Sequence, residues 1–174
     1  MEYLYCENAN YEDYSSGRVL YSGKGIPNFP VRLINEIFGR AVHHLAKQTD
    51  LVVYDPCCGG GYSLTILGFF HSANISKIYG SDISPEMLEY ASKNLSLLQY
   101  EGLKKRKLEL TDMYEQYHKE SHRDAIGSIE VMRSQLVKPV PFETFIADCT
   151  KPLPQIEPDI IITDIFCIIF LRAI

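Results

Sequence analysis

The chain has 174 residues, a formal net charge of −5 at pH 7 and a hydrophobic content of 46%. This length and composition suffice for one sizeable buried core, and no apolar run reaches the roughly 20 residues that a membrane-spanning helix needs. The acidic balance excludes a protein coated in positive charge for nucleic acid, so any RNA contact must depend on local patches of Lys and Arg.

The N-terminus and the cysteines indicate the compartment. Residues 1–10 are acidic and aromatic and lack the basic start and apolar centre of a signal peptide. Five cysteines, an odd number with two of them adjacent, do not form a disulfide framework. We therefore expect no export, no membrane association and a reducing, cytoplasmic setting.

The first 48 residues predict an arm followed by a helix. Residues 1–28 are polar and rich in Tyr; within them, 18–21 have the composition of a short strand and 22–28 that of a Gly/Pro turn. Pro30 then opens a helix that runs to about Gln48, because apolar residues recur there at the spacing of one helix face. We expect this helix to cover a sheet.

A strand, a glycine turn and a helix follow in that order. The apolar run 51–54 ends at Asp55, three glycines form the turn, and a helical pattern extends from about Tyr62 to His71. A second strand ends at Asp82. Two parallel strands that end on acids, with a glycine turn after the first, predict a site for a nucleotide-like ligand.

The glycine spacing indicates which ligand. The turn has the D-x-x-x-G-x-G spacing of enzymes that use S-adenosylmethionine, whereas a dinucleotide fold requires G-x-G-x-x-G, so a nucleotide-binding oxidoreductase is the less favoured alternative. Asp55 would face the positively charged methionine end, Gly59 and Gly61 would leave space for the ligand, and Asp82 would bind the ribose. A tight β-to-α turn uses glycine in any case, and Asp82 is what favours the functional interpretation.

The next segment is a helix and then an insertion. Ser84 as an N-cap and Pro85 in the first turn start a helix that runs to about Tyr100. Residues 103–138 are mostly charged and predict one or two exposed helices, more than a plain βαβ unit needs. This insertion is either a place for substrate contacts or a structural elaboration.

The chain then returns to strands. A third strand, 142–147, ends at Asp148, and a fourth, 159–163, ends at Asp164. Aspartate is common in strand-ending turns, so a purely structural role for Asp148 stays open.

Two other groups of residues carry weaker predictions. The basic run Lys104–Lys107, and Arg18 with Lys24, are candidate RNA-binding patches; a solvated helix face is the alternative for the run. Adjacent Cys57 and Cys58 cannot form a C-x-x-C chelate, and no other cysteines have paired spacing, so we expect no metal. The neighbouring histidines 43 and 44 are assigned no role.

Six segments together resemble the avilamycin-resistance ribosomal RNA guanine methyltransferase family, over about residues 18–164. Vicinal cysteines inside the cofactor loop make the match more specific than the fold signal alone. The segments are Phe29-Pro30-Val31-Arg32-Leu33, Asn35-Glu36-Ile37-Phe38, Asp55-Pro56-Cys57-Cys58-Gly59-Gly60-Gly61-Tyr62, Leu64-Thr65, Leu67-Gly68 and Ser81-Asp82-Ile83-Ser84-Pro85.

The resemblance implies a Rossmann-like class I methyltransferase sheet of the α/β class and methyl transfer from S-adenosylmethionine to a guanine of large-subunit (23S) ribosomal RNA. It implies that Asp148 accepts a hydrogen bond from the adenine amine and that Asp164, in the catalytic loop, helps to grip an exocyclic amine without acting as a strong base. The implied cofactor-binding residues are Asp55, Pro56, Cys57, Gly59, Gly61, Tyr62, Asp82, Ile83, Asp148, Phe29 and Arg32.

The chain departs from the family pattern after Asp164. The family motif D-x-P-Y is not continued, because Phe166 and Cys167 stand where proline and tyrosine are expected. The sequence thus predicts an arm (1–28), a cofactor-binding domain (29–164) whose sheet is incomplete after its fourth strand, and an aberrant apolar tail (165–174). The tail is interpreted as the product of a frameshift or early stop; a natural half-domain that needs a partner, and an inactive remnant that binds S-adenosylmethionine or RNA, are the alternatives.

Overall fold

The fold was derived from a computed structural model, which describes residues 2–15, 17–23, 29–152 and 155–164. Within these ranges a short 3-10 helix, Glu12–Tyr14, is followed by alternating helices and strands. Their bounds are α1 Val31–His43, β1 Leu51–Asp55, α2 Tyr62–Phe70, β2 Ile75–Asp82, α3 Pro85–Ser96, α4 Tyr100–Tyr117, α5 Glu120–Gln135, β3 Phe142–Ile146 and β4 Ile160–Ile161.

The four strands form one parallel sheet in the order β3-β2-β1-β4. Parallel neighbours need a crossover connection, and helices supply it between β1 and β2 and between β2 and β3. The predicted α/β class, the Rossmann-like sheet and the helical insertion before the third strand are confirmed. The order reverses between β1 and β4, and open α/β sheets bind ligands at such a switch point, outside the carboxyl ends of the strands.

The core lies between the sheet and the helices. Leu51 and Val53 of β1 are fully buried together with Ile78 of β2. Helix α2 is buried on nearly all sides because α1 and α3 both pack against it. Its sequence is accordingly apolar on all faces, as is typical of a buried helix. The start of this helix, directly after the glycine turn, is therefore fixed in place.

The arm is held by one buried carboxylate. Glu36 on α1 accepts hydrogen bonds from the backbone N–H groups of Leu4, Tyr5 and Cys6, and it pairs with Arg40 at 2.7 Å. Burial opposes ionisation of Glu36, but these donors outweigh it and lower the pKa of the carboxyl. The charge of Glu36 thus has partners that compensate for its loss of water.

Three local predictions are wrong. Helix α3 ends at Ser96 and not near Tyr100, because the N–H groups of residues 97–99 bond to carbonyls three residues back. Helix α1 ends at His43 and not near Gln48, because the N–H groups of His44 and Leu45 bond to carbonyls three residues back and tighten the last turn. Residues 18–21 form turns and bends and not a strand, although Val19 and Leu20 are fully buried.

Residues 18–21 have no neighbouring strand within the described ranges, and side chains from two helices supply their hydrogen bonds instead. Asn94 of α3 accepts a hydrogen bond from the Tyr21 N–H and donates to the Tyr21 carbonyl, and it also donates to the Gly60 carbonyl in the glycine turn. Arg106 of α4 donates to the Val19 carbonyl. The arm therefore lies directly beside the predicted cofactor loop.

The insertion is a helical hairpin, α4 and α5, that is only partly exposed. Leu103, Leu110, Ile129 and Met132 are buried in it, and it packs on α2 and α3. It also divides the basic run Lys104–Lys107, as Arg106 is buried and Lys107 pairs with Glu130 at 2.6 Å. The run therefore does not form one continuous basic surface.

Some predictions are not tested by this architecture. The tail, 165–174, and the proposed turn residues 24–28 lie outside the described residues, and the division into arm, domain and tail stays a prediction. His43 and His44 are both exposed, and the His43 ring lies 5.7 Å from the Tyr5 ring. None of the described helices is both long and apolar enough to cross a membrane.

Candidate functional site

Four acids follow the carboxyl ends of the four strands. The register places Asp55 of β1 level with Gly80 of β2, so that Asp82 lies two residues further along. Asp82 is in turn level with Ile146 of β3, and Asp148 again lies two residues beyond. The spatial order Asp148, Asp82, Asp55, Asp164 therefore follows the strand order, at one edge of the sheet.

The glycine turn connects β1 to α2 through two residues with positive φ. Gly59 has φ +51° and Gly61 has φ +71°, a region that side chains rarely adopt. Gly61 is also packed against α3, since a Cβ there would lie 2.9 Å from the Ala91 Cα. At Gly59 a Cβ would meet nothing within 4 Å, so this glycine faces open space at the sheet edge.

Asp82 fixes the glycine turn. Its Oδ2 accepts the Gly59 N–H at 2.9 Å, and its Oδ1 accepts the Ser84 N–H at 2.9 Å. Each carboxylate oxygen keeps a further acceptor position, which is what recognition of a diol needs. The next residue, Ile83, is 68% exposed, and it offers an apolar surface beside this carboxylate.

Asp55 is a buried acid in a negatively charged setting. It is 4% exposed, and its Oδ1 accepts the Cys57 N–H at 3.0 Å. Burial, and then the charges of Asp82 and Asp164, raise the pKa of Asp55 to about 6, although the Cys57 N–H opposes this shift. Three carboxylates in close proximity favour a cationic ligand, because a positive charge would relieve their repulsion.

The vicinal cysteines have different surroundings. Cys58 packs on β2, where a Cβ at Gly80 would lie 3.0 Å from its Sγ, so Gly80 is needed for this close approach. The Cys57 thiol lies beside that of Cys149; burial and this neighbour raise the pKa of Cys57 to about 12. Cys57 is thus a neutral thiol at neutral pH, and its N–H, bonded to Asp55, is its clearest contribution to the site.

Sequence reasoning missed Thr163, which follows β4 on the other side of the switch point. Its hydroxyl lies near Asp55 and Cys57 and favours the ionised form of both. The geometry nevertheless falls short of a hydrogen bond: the buried Oγ1 has no partner among the residues described. An unsatisfied buried hydroxyl is uncommon, and this one lies beside the buried Asp55 carboxylate. The sequence signal that could have identified Thr163 is its position directly before the strand-end acid Asp164.

Asp148 and Asp164, the acids at the two ends of the row, make fewer contacts with the glycine turn than Asp55 and Asp82 do. Asp148 accepts hydrogen bonds from the N–H and hydroxyl of Thr150 and pairs with Lys151 at 3.2 Å, so its carboxylate is turned into its own loop. The hydrogen bonds to Thr150, followed by Lys151, lower the pKa of Asp148. Asp164 is exposed but near enough to raise the pKa of Asp55.

The remaining predicted residues have structural contacts. The Arg32 guanidinium lies over the Tyr3 ring at 4.0 Å and donates to the Cys6 carbonyl, so it is turned toward the arm. The Tyr62 hydroxyl donates to the Tyr14 carbonyl at 2.7 Å. Phe29 packs against the core, and the Pro56 carbonyl accepts a hydrogen bond from Ser81 at 3.2 Å. Cofactor contact by these four residues stays a prediction.

No group of three or more potential metal ligands was found within the described ranges. The site therefore consists of carboxylates, backbone N–H groups, a hydroxyl and open space beside Gly59.

Comparison with known proteins identifies the family. A family model described as rRNA methyltransferase AviRa matches residues 1–166. The chain belongs to this AviRa family. The 23S rRNA (guanine(2535)-N(1))-methyltransferase of Streptomyces viridochromogenes is 37% identical over 168 residues, which cover 91% of this chain and 67% of that protein.

Solved structures agree with this assignment. Two structures of rRNA methyltransferase aviRa from Streptomyces viridochromogenes, at 2.4 Å and 1.5 Å, are similar to this chain with TM-scores of 0.86 and 0.87. Both are 37% identical, and the match covers 91% of this chain and 68% of theirs. The chain thus spans about two thirds of the length of these AviRa relatives. The resemblance predicted from the six sequence segments is confirmed, and the oxidoreductase alternative is disfavoured.

Proposed function

We propose that this chain binds S-adenosylmethionine at the carboxyl edge of its sheet and methylates a guanine of 23S rRNA, the reaction named for its relative. The observation that supports it best is the hydrogen bond from Gly59 N–H to Asp82, which joins the glycine turn to the second strand-end acid. Such an enzyme acts on ribosomal RNA, so we also propose a cytoplasmic location.

Three features fit this cofactor. The open space beside Gly59 leaves room for the ligand, and Thr163 offers a hydroxyl without a described partner. Burial, and then the charges of Asp82 and Asp164, raise the pKa of Asp55, and the sulfonium and ammonium charges of S-adenosylmethionine would compensate for both. A neutral or anionic nucleotide would lack this advantage.

The residues have distinct proposed roles. Asp82 would bind the ribose hydroxyls through its free acceptor positions, and Asp55 would face the methionine end. Ile83 would pack against the adenine, and Asp148 would reach the adenine amine after giving up one bond to Thr150. The backbone around Phe29 would line the same cleft.

The bound cofactor supplies an electrophilic methyl group. The relative's name puts the methyl group on guanine N1, a ring nitrogen, and not on an exocyclic amine. N1 carries a proton in neutral guanine, and this proton must leave when the N1–methyl bond forms. We assign its acceptance to the exposed Asp164 carboxylate, at the edge where the reacting base must approach.

The decisive test combines binding and methyl transfer. Asp82→Asn should weaken S-adenosylmethionine binding by about 10- to 100-fold in calorimetry, because it removes a charged acceptor. Radiolabelled methyl transfer to 23S rRNA should fall in parallel. Asp112→Asn removes an exposed acid of α4 and should change neither.

Each outcome of this test is informative. Wild-type affinity in Asp82→Asn would contradict the ribose assignment. Cofactor binding by the wild-type chain without methyl transfer would favour a binding protein over an enzyme.

Thr163→Val provides an independent test of the cofactor position. Valine keeps the shape and removes a buried unsatisfied hydroxyl, so the melting temperature should be unchanged or slightly higher. Affinity for S-adenosylmethionine should fall about three- to tenfold, and Thr163→Ser should retain most of it. Equal affinity for wild type and Thr163→Val, measured by calorimetry, would exclude the hydroxyl from the site.

A further inference from the structure

A cavity lies between the arm and the α4–α5 hairpin. Its volume is about 390 Å³. Its lining includes five polar or charged residues: Arg18, Arg106, Ser121, His122 and Asp124. None of these residues belongs to the proposed cofactor site.

Two buried nitrogen atoms of the cavity walls lack partners. Arg18 Nε and His122 Nδ1 are shielded from solvent and find no hydrogen-bond partner in the part of the chain that the structure describes. They come from two different elements, the arm and α5, and their side chains line the same cavity. Unsatisfied buried polar atoms are rare in folded proteins, so a pair around one cavity indicates a ligand.

The free donors of the cavity indicate the chemistry of the ligand. The Arg106 side chain is 9% exposed; its Nε bonds to Val19 and its Nη1 to Glu109, which leaves the Nη2 donors for a ligand. The Arg18 Nη1 pairs with Glu12 at 3.2 Å, and its side chain is 25% exposed. Guanidinium groups with free donors suit a phosphate, which accepts several hydrogen bonds at once.

The remaining polar groups favour a nucleotide over a bare anion. The exposed Asp124 carboxylate would repel a phosphate, but it can accept a hydrogen bond from a ribose 2′-hydroxyl. Ser121 can donate or accept beside it. The combination of two arginines, a histidine, a hydroxyl and a carboxylate matches a ribose-phosphate unit of RNA.

The cavity is connected to the cofactor loop by direct contacts. The Arg106 guanidinium stacks on the Tyr21 ring at 4.2 Å, and the Tyr21 backbone is held by Asn94. Asn94 donates in turn to the Gly60 carbonyl. These contacts link the cavity to the glycine turn through Tyr21 and Asn94.

We propose that this cavity binds a ribose-phosphate unit of the RNA substrate outside the target nucleotide. The proposal rests on the proposed function. It retains Arg18 of the predicted patch Arg18 with Lys24, and of the run Lys104–Lys107 it retains only the buried Arg106. It also gives the acidic chain, with a net charge of −5, a local site for a phosphate.

The test measures binding of a labelled 23S rRNA fragment by anisotropy at several salt concentrations. Arg18→Gln should weaken binding about three- to tenfold at 0.1 M salt and lower the salt slope by about one, as expected for one lost phosphate contact. His122→Phe keeps the aromatic ring and should weaken binding to a similar extent. Arg123→Gln removes a 63% exposed charge next to His122 that does not line the cavity, and should have no such effect.

Cofactor affinity separates this proposal from the proposed function. Arg18→Gln and His122→Phe should bind S-adenosylmethionine like wild type and melt at the same temperature. Wild-type RNA affinity in both variants would overturn the cavity assignment while the methyltransferase proposal stands. Absence of RNA binding by the wild-type chain would overturn both. A phosphate-dependent rise in melting temperature that Arg18→Gln loses, with RNA affinity unchanged, would assign the cavity to free phosphate and overturn the RNA assignment.

Discussion

Gly61→Ala is expected to destabilise the whole fold by more than about 3 kcal/mol, because two costs coincide at this position. The backbone has φ +71°, which is strained for alanine, and the new Cβ would lie 2.9 Å from the Ala91 Cα in α3. The helix backbone cannot move aside as a flexible side chain could. A drop in melting temperature of about 6 °C or more, measured by circular dichroism, should follow.

Gly59→Ala is the matched control, since it places the same residue in the same turn with a similar positive φ. The new Cβ would meet nothing within 4 Å, so only the backbone strain of about 1 kcal/mol remains. The melting temperature should fall by about 3 °C. Calorimetry should nevertheless show at least about a tenfold loss of S-adenosylmethionine affinity, because the methyl group enters the space proposed for the ligand.

The two variants thus separate folding from binding. Equal stability of Gly59→Ala and Gly61→Ala would contradict the close approach of the turn to α3. A folded Gly59→Ala protein with wild-type cofactor affinity would show that the ligand lies elsewhere.

The sequence predicted the sheet edge because parallel topology converts order along the chain into position in space. Strand ends at Asp55 and Asp82 were recognisable from apolar runs, and strands linked by helices place their carboxyl ends at one edge. The family assignment came from six short segments, and the comparisons confirmed it. The strand ends and the family segments are local sequence patterns, so they can be recognised in a single sequence without knowledge of the fold.

Features that depend on tertiary contacts could not be predicted in this way. The sequence places Arg106 in a basic run that is expected on the surface. Its side chain is nevertheless buried, and hydrogen bonds to the Val19 carbonyl and to Glu109 compensate for its loss of water. Asn94 holds the arm and the glycine turn together, and nothing in its neighbourhood of the sequence indicates this. The Val19 carbonyl lies 87 residues from Arg106, and Tyr21 and Gly60 lie 73 and 34 residues from Asn94, so packing and not sequence spacing selects these partners.

Asp55→Asn is expected to stabilise the free protein and to weaken cofactor binding. The pKa of Asp55 is raised from 3.8 to about 6, chiefly by burial, so the ionised form costs about 3 kcal/mol of folding free energy above pH 6. A raised pKa in the folded state means that stability is present below pH 4 and is lost as the pH rises through about 6. Asparagine removes this loss and can still accept the Cys57 N–H.

Urea unfolding at pH 4.5 and pH 7.5 measures the first effect. At pH 7.5 Asp55→Asn should exceed wild type by about 1–2 kcal/mol, since part of the gain is offset by weaker hydrogen bonding. At pH 4.5 the two proteins should be nearly equal. A variant that is less stable than wild type at pH 7.5 would contradict the burial of an uncompensated charge.

Cofactor binding should depend on pH in the opposite direction. A cationic ligand favours the ionised carboxylate, so wild-type affinity for S-adenosylmethionine should fall as the pH drops below about 6, and binding near that pH should release a proton. Calorimetry in buffers of different ionisation enthalpy measures that proton directly. Asp55→Asn should bind more weakly, without proton release and with little pH dependence in this range. S-adenosylhomocysteine lacks the sulfonium charge and should show a smaller effect, and equal proton release by both ligands would place the positive sulfur away from Asp55.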